Sequence, residues 1–196
     1  VVASDSFKGC LSSWQVAEAV EKAIHDVMSG CDVVKLAVAD GGEGSMEALV
    51  TTLGGRTVNL IVSDPLGRPV KADYAMLDDS TAVIEMARAS GLTLLFQEER
   101  NPMLASTYGT GQLISDALGK GCRRFMICIG GSATNDAGTG MLEALGYRFI
   151  DSEGNILKGC GAVLRQISSV DVSHVHPALN ESEFIVACDV DSPFCG

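Results

Sequence analysis

Two glycine-rich stretches of the sequence each follow an apolar run and carry acidic side chains. The stretch ADGGEGS, residues 39–45, follows VVKLAV, and the stretch IGGSATNDAGTG, residues 129–140, follows FMIC. Glycine after a strand lets backbone N–H groups approach an anion closely. Acidic side chains beside those N–H groups oppose an anion unless a divalent cation lies between them. Together, the two stretches indicate a phosphate group that is held with Mg²⁺.

Four predicted strands end in polar residues, at the edge where open α/β sheets bind their ligands. The strands VVA and KLAVA run into Lys8 and Asp40, and the strands FMICI and FIVAC run into Asp136 and Asp189. A phosphorylated donor, Mg²⁺ and a carboxylate that accepts a proton are the components of phosphoryl transfer. A lysine beside them could neutralise charge on the transferring group. We therefore predict phosphoryl transfer at this edge of the sheet.

Each of these features also has a simpler explanation. Glycines after a strand often form only a tight turn, and an aspartate such as Asp5 or Asp40 often caps a helix. The glycine stretches alone would also serve a non-catalytic nucleotide- or anion-binding module. The combination of Lys8 with Asp189 and Asp191 favours an enzyme. No P-loop, complete GxGxxG or GxSxG motif occurs, so those enzyme classes are not supported.

The apolar pattern predicts the elements that position these loops. Val16, Val20 and Ile24 recur at helical spacing, which predicts a helix that begins at Ser13 with Ser12 or Ser13 as its N-cap. The run DVVKLAVA predicts a buried strand, and residues 45–53 predict a helix. The runs RTVNLIVSD and VKADYAML alternate around the turn PLGRP, which is typical of an antiparallel hairpin.

Further strands are predicted at TAVIEMA, CRRFMICIGG and EFIVACDVD, further helices within residues 106–121 and 135–146, and a hairpin at YRFIDSEGNIL. The alternation of strands and helices predicts the α/β class, with parallel and mixed sheets. The pattern changes near Asp64, so we expect residues 1–64 to be the first segment of one α/β domain. Residues 65–196 would then form a second α/β domain inserted into it. The first residue is valine rather than methionine, and the last residues follow a predicted strand. We therefore expect a fragment in which the first domain is discontinuous and incomplete, and the second can be incomplete as well.

Composition excludes several classes of protein. The 196 residues include 14 basic and 25 acidic side chains, for a formal net charge of −11, which disfavours a nucleic-acid or anionic-membrane surface. None of the seven cysteines forms a CxxC pair, so a zinc ribbon or redox dithiol is not supported and a reducing compartment is favoured. The apolar runs are too short to span a membrane, and no signal peptide is visible. We expect a cytoplasmic protein.

Seven segments of the sequence resemble the bacterial class I glycerate kinases, in order from the first residue to the last. They are DSFKGCLSS, ADGGEGS, DPLGRPV, VIEMARASGL, NPMLASTYGTGQLI, IGGSATNDAGTGML and CDVDSPFCG. The resemblance implies ATP-dependent phosphorylation of D-glycerate with Mg²⁺, usually at the 2-hydroxyl, in a cleft between two α/β domains. Departures from the family pattern at Cys10, Ser45, Ala137 and Ser192 remove no carboxylate and leave Lys8 in place. Family members are considerably longer than this chain.

With this resemblance we assign predicted roles. Asp189 is the predicted base, Asp191 is the second candidate, and Lys8 is the predicted catalytic cation. Lys8 and Arg88 are candidates for binding the carboxylate of glycerate or a phosphate. The candidates for Mg²⁺ binding, or for ordering the glycine loops, are Asp40, Glu43 and Asp136. The other predicted substrate- and phosphate-binding residues are Asp5, Ser6, Gly41, Gly42, Gly130, Gly131, Ser132 and Asn135. A kinase for a related small hydroxy acid is the alternative of the same architecture.

Overall fold

The computed structural model describes residues 1–5, 7, 10–38, 41, 42 and 44–188. Its helices are α1 Ser13–Val27, α2 Ser45–Leu53, α3 Ala87–Ser90, α4 Tyr108–Gly119 and α5 Thr139–Ala144. Its strands are β1 Val2–Ser4, β2 Lys35–Ala37, β3 Arg56–Ser63, β4 Pro69–Met76, β5 Thr81–Glu85, β6 Arg124–Cys128, β7 Arg148–Ile150, β8 Ile156–Leu157, β9 Ser169–Asp171 and β10 Glu183–Ala187. Across these ranges, no helix combines the length and apolar character needed to cross a membrane.

A five-stranded mixed sheet in the order β10-β6-β5-β4-β3 forms the centre of the fold. Strands β10, β6 and β5 are parallel, whereas β5-β4 and β4-β3 are antiparallel pairs. Strands β1 and β2 form a separate parallel pair, and β8-β7-β9 form a small antiparallel sheet. The predicted α/β class with parallel and mixed sheets is therefore confirmed.

The predicted hairpin around PLGRP is present and pairs β3 with β4 over eight positions, from Arg56 opposite Met76 to Ser63 opposite Pro69. Asp64 closes its turn, because one carboxylate oxygen accepts the backbone N–H of Arg68 at 2.9 Å and the other accepts its Nε at 2.6 Å. The division of the chain at residue 64 stays a prediction. The pairing of β3, before residue 64, with β4, after it, is the structural observation that bears on this division.

Helices cover both faces of the central sheet because alternate strand residues point to opposite sides. On one face, Tyr74 of β4 and Ile84 of β5 pack with Leu113 of α4 in the larger core. On the other face, Val83 of β5 packs with Met46 of α2 in a smaller core. The three layers place α2 directly against the sheet, and Gly41 before it lies against Ala187 of β10.

Local sequence signals position the first two helices where they were predicted. Ser12 caps α1 with a reciprocal capping box: its Oγ accepts the N–H of Gln15 at 3.2 Å, and the Gln15 side chain accepts the N–H of Ser12 at 2.8 Å. Helix α2 covers the predicted residues 45–53. Strand β2 is shorter than the predicted DVVKLAVA, and Leu36 within it is 46% exposed. The apolar run therefore predicts the strand but overestimates its burial.

We expect Gly109→Ala to lower the free energy of unfolding by about 2–3 kcal/mol, since overpacking forces the backbone to shift. A Cβ at Gly109 would clash with the carbonyl oxygen of Ser63 and lie 3.1 Å from the Cβ of Ala89. Gly119→Ala is the matched control in the same helix, because a Cβ there meets no atom within 4 Å. That variant should be neutral or more stable by about 0.5–1 kcal/mol. Urea unfolding measures both, and equal effects would contradict the packing of α4 on β3.

Candidate functional site

Three parallel strands end side by side at one edge of the central sheet. Glu85 pairs in register with Cys128, and Cys128 pairs with Ala187, so the last residues of β5, β6 and β10 are neighbours. Asp189 follows two residues after Ala187 in the sequence and lies outside the described residues. The loops that leave these strands therefore start from one edge, as the sequence pattern predicts.

The two glycine stretches contact each other at this edge. The N–H of Gly130 donates to the carbonyl oxygen of Gly41 at 3.1 Å. A Cβ on Gly130 would lie 2.6 Å from the Cα of Gly42, and a Cβ on Gly41 would lie 2.6 Å from the carbonyl oxygen of Ala187. Gly41 also adopts a positive φ of 87°. Glycine is required here because one backbone packs directly on another.

This contact changes which N–H groups can serve an anion. The N–H of Gly130 is occupied by Gly41. Within the part of the chain that the structure describes, the N–H groups of Gly131 and Ser132 have no hydrogen-bond acceptor. Gly131 and Ser132, rather than Gly130, are therefore the geometrically available donors for a phosphate.

The loop that carries these donors is held in place from the adjacent segment after β5. The N–H of Leu92 donates to the carbonyl oxygen of Gly131 at 3.0 Å, and the N–H of Ala133 donates to that of Ser90 at 2.9 Å. The Oγ of Ser132 also accepts a bond within its own loop, from the N–H of Thr134 at 3.0 Å. These bonds fix the direction of the loop before any ligand arrives.

Asp136 is buried and fully engaged with backbone and hydroxyl donors. Its Oδ2 accepts the N–H and Oγ1–H of Thr107, both at 2.8 Å, and the N–H of Gly140 at 3.1 Å. Its Oδ1 accepts the N–H of Gly138 at 3.1 Å. The carboxylate thereby joins the start of α4 to the start of α5. These bonds give the buried carboxylate hydrogen-bond donors without a cation. Of the two predicted roles of Asp136, the geometry therefore favours loop ordering over Mg²⁺ binding.

Arg88 is surrounded by three carboxylates. Its Nε lies 3.0 Å from Glu85, its Nη2 lies 3.4 Å from Glu47, and its Nη1 lies 3.6 Å from Asp73. Burial opposes the charge of the guanidinium, but Glu85 and the other two carboxylates offset this and raise the pKa of Arg88. Binding of glycerate or phosphate by Arg88 stays a prediction, and an anion there would have to compete with these acids.

Glu85 is a site residue for which the sequence leaves two roles open, an acid at the edge of the core or a contact to substrate. Its side chain is buried at the end of β5, and one oxygen accepts the N–H of Met46 in α2 at 2.8 Å. Cys128, its neighbour in the sheet, has a thiol pKa that burial, and then the charge of Glu85, raise to about 11. A thiol of that pKa is protonated at neutral pH, which excludes Cys128 as a nucleophile in this state. The sequence signals for Glu85 are its place at the end of the apolar run TAVIE and within VIEMARASGL, one of the segments that carry the family resemblance.

Three of the predicted residues line cavities beside the loops. Ser132 and Asn135 line a cavity of about 450 Å³ together with apolar side chains that include Ile129 and Phe184. Asp5 is exposed and lines a separate cavity of about 330 Å³. Six of the predicted residues lie outside the described residues: Ser6, Lys8, Asp40, Glu43, Asp189 and Asp191. Within the described ranges, no three His, Cys, Asp or Glu side chains form a group that could hold a metal ion.

Comparison with known proteins identifies the sequence as one of a defined family. The sequence model of the Glycerate kinase family matches residues 1–196. The glycerate kinase of Bacillus subtilis (strain 168) is 48% identical over 197 residues, and the glycerate 2-kinase of Escherichia coli (strain K12) is 42% identical over 197 residues. Each alignment covers 100% of this chain and 52% of the relative. The chain therefore spans about half the length of these relatives.

The fold agrees with a solved structure. A crystal structure assigned as glycerate kinase 2 from Salmonella typhimurium LT2 superposes with a TM-score of 0.86 at 43% sequence identity. The superposition covers 97% of this chain and 52% of that chain. The arrangement of strands and loops described above thus recurs in a related protein.

We expect Asp136→Ala to destabilise the protein by about 3–5 kcal/mol, because it leaves several buried donors without their acceptor. Asp151→Ala is the matched control: Asp151 accepts the N–H groups of Glu153 and Asn155 in an exposed turn. In that turn water replaces the lost carboxylate, so Asp151→Ala should lower the free energy of unfolding by about 0.5–1.5 kcal/mol. Chemical denaturation compares the two. A loss for Asp136→Ala no larger than that for Asp151→Ala would contradict the role of Asp136 in ordering the loop.

Proposed function

Because the chain belongs to the glycerate kinase family, we propose that the protein transfers a phosphoryl group from ATP to D-glycerate, with the assistance of Mg²⁺. The observation that carries this proposal is the match of the family model over residues 1–196. The geometry supports it, since two glycine stretches meet at the carboxyl ends of three parallel strands. That edge is where α/β sheets bind small ligands.

Binding of the anionic reactants requires N–H groups or cations. We propose that Gly131 and Ser132 donate backbone N–H groups to a phosphate, since the structure leaves both donors available. The other proposed contacts to substrate or phosphate are Asp5, Ser6, Lys8, Gly41, Gly42, Arg88, Gly130 and Asn135. In this proposal Gly41 and Gly130 act mainly by their mutual backbone contact, which shapes the pocket.

The hydroxyl of glycerate is a poor nucleophile at neutral pH, so its proton needs an acceptor as the phosphoryl group transfers. We propose Asp189 as that acceptor, with Asp191 as the second candidate, and Lys8 as the cation that stabilises the transferring group. When bound, Mg²⁺ would neutralise charge on the phosphates, and Asp40 and Glu43 are its proposed ligands. For Asp136 we propose loop ordering rather than Mg²⁺ binding, because its carboxylate already accepts bonds from Thr107, Gly138 and Gly140.

Phosphorylation at the 2-hydroxyl is the regiochemistry that we propose. The support for it is the name of one relative, the glycerate 2-kinase of Escherichia coli. A kinase for another small hydroxy acid such as tartronate, or a module that binds nucleotide without transfer, would share the same loops. These two alternatives are outcomes of the following experiment.

The test is an assay of ADP release by the natural polypeptide that carries these residues, with MgATP and D-glycerate. We expect turnover with D-glycerate, less with tartronate, and a product whose ³¹P NMR signal couples to the single proton at C2. Coupling to the two protons at C3 would contradict the proposed regiochemistry. Nucleotide binding without ADP release for either acid would contradict the proposed enzyme.

Asp189→Asn in the same polypeptide should lower kcat by about 10²–10⁴-fold, because the amide cannot accept the hydroxyl proton. The fold should be unchanged, which circular dichroism and the melting temperature check. Asp151→Asn makes the same chemical change in a remote turn and should keep kcat at the wild-type value. If Asp189→Asn retains nearly full turnover, Asp189 is not the base.

A further inference from the structure

Glu85 is a buried acid whose two carboxylate oxygens bind different segments of the chain. It is 2% exposed at the carboxyl end of β5. Oε1 accepts the N–H of Met46 in α2 at 2.8 Å, and Oε2 accepts the Nε–H of Arg88 at 3.0 Å. A buried carboxylate is costly unless it is paired and hydrogen-bonded, and here Arg88 provides the opposite charge.

Helix α2 relies on this acid because its N-cap residue, Gly44, has no side chain that could cap the first turn. Its N-cap residue is Gly44, with a left-handed φ of 93° and no side-chain cap bond. The Oγ of Ser45 instead serves the loop, accepting the N–H of Gly41 at 3.1 Å and donating to the carbonyl oxygen of Gly42 at 2.8 Å. The carboxylate that binds the first turn of α2 therefore comes from Glu85, 39 residues along the chain.

The position of α2 determines where the first glycine stretch meets the second. Gly41 and Gly42 precede α2 by a few residues and contact Gly130 through backbone atoms only. Glu85 is itself in register with Cys128, two residues before Gly130 on the neighbouring strand. One carboxylate thus connects the helix that follows the first stretch to the sheet edge that carries the second.

We propose that Glu85 is a positioning residue that sets the relative placement of the two glycine stretches by holding the first turn of α2. Its effect on catalysis rests on the proposed phosphoryl transfer, but its effect on α2 does not. The acid need not touch glycerate or nucleotide, since both of its oxygens are already bonded to the protein.

Two substitutions and a matched control test the structural half of this proposal. Glu85→Ala removes both acceptors, whereas Glu85→Gln keeps a carbonyl oxygen for Met46 but loses the charge that pairs with Arg88. Tyr74→Phe is the control, because it removes one partly buried hydrogen bond, to Asp116 at 2.8 Å, on the opposite face of the sheet. Hydrogen exchange of the natural polypeptide is measured for peptides covering residues 44–53 and 108–119.

We expect Glu85→Ala to speed exchange within residues 44–53 by about tenfold, the usual effect of losing a helix cap. Glu85→Gln should recover most of that protection, and Tyr74→Phe should leave residues 44–53 unchanged. Unchanged exchange of residues 44–53 in Glu85→Ala would overturn the proposal. So would equal acceleration of residues 44–53 and 108–119 in Glu85→Gln, because that pattern indicates general destabilisation.

The catalytic half is tested by steady-state kinetics with MgATP and D-glycerate. Misplaced loops should lower kcat by roughly 10–100-fold in Glu85→Ala, with a smaller loss in Glu85→Gln. The KM values for both substrates should change by less than about threefold, since no direct contact is removed. A raised KM with kcat unchanged would mean that Glu85 acts on binding and would overturn the positioning role. If the wild-type protein does not turn over D-glycerate, the proposed function fails, and the exchange comparison alone decides whether Glu85 positions α2.

Discussion

The backbone contact between Gly41 and Gly130 is the constraint on which the rest of the site depends. It brings together two loops that are almost 90 residues apart in the sequence, with one hydrogen bond of 3.1 Å and no intervening side chain. A Cβ on Gly130 would clash with Gly42, and a Cβ on Gly41 would clash with the carbonyl of Ala187, so glycine is required at both positions. The surrounding structure supports this contact. Asp136 orders the second glycine loop, and Glu85 binds the helix that follows the first glycine loop.

Much of the fold could be predicted because the caps, turns and apolar spacing in the sequence agree with the side chains that the structure buries. The apolar spacing and the serine cap locate α1, and the alternation around PLGRP locates the β3–β4 hairpin with its strands in the right order. Parallel strands that end in polar loops indicate the edge of the sheet at which the site lies. The apolar run overestimates the burial of β2. Apolar side chains favour burial, but they do not show which of the described residues pack against the strand.

The partners of individual polar groups could not be predicted, since they depend on contacts between distant segments. The sequence indicates that the acid of NDAG belongs to a glycine loop, but only the structure shows that Thr107, from another segment, provides two of the bonds to Asp136. Arginine is a side chain that commonly binds anions, yet Arg88 lies among three carboxylates. Glu85 lies in the segment VIEMARASGL, but its importance follows from contacts that only the structure shows: the N-cap residue of α2 is Gly44, which has no side chain, and Glu85 binds the first turn instead.

The most direct measurement is the turnover of MgATP and D-glycerate by Gly130→Ala in the natural polypeptide. Gly130 does not adopt a positive φ, so alanine is accommodated by its own backbone and disturbs only the contact with Gly41 and Gly42. Gly30→Ala, where a Cβ meets no atom within 4 Å, is the control. The account predicts a loss in kcat of about 100-fold for Gly130→Ala with the fold retained, and no loss for the control. Wild-type turnover by Gly130→Ala would contradict the claim that the contact between the glycine stretches builds the site.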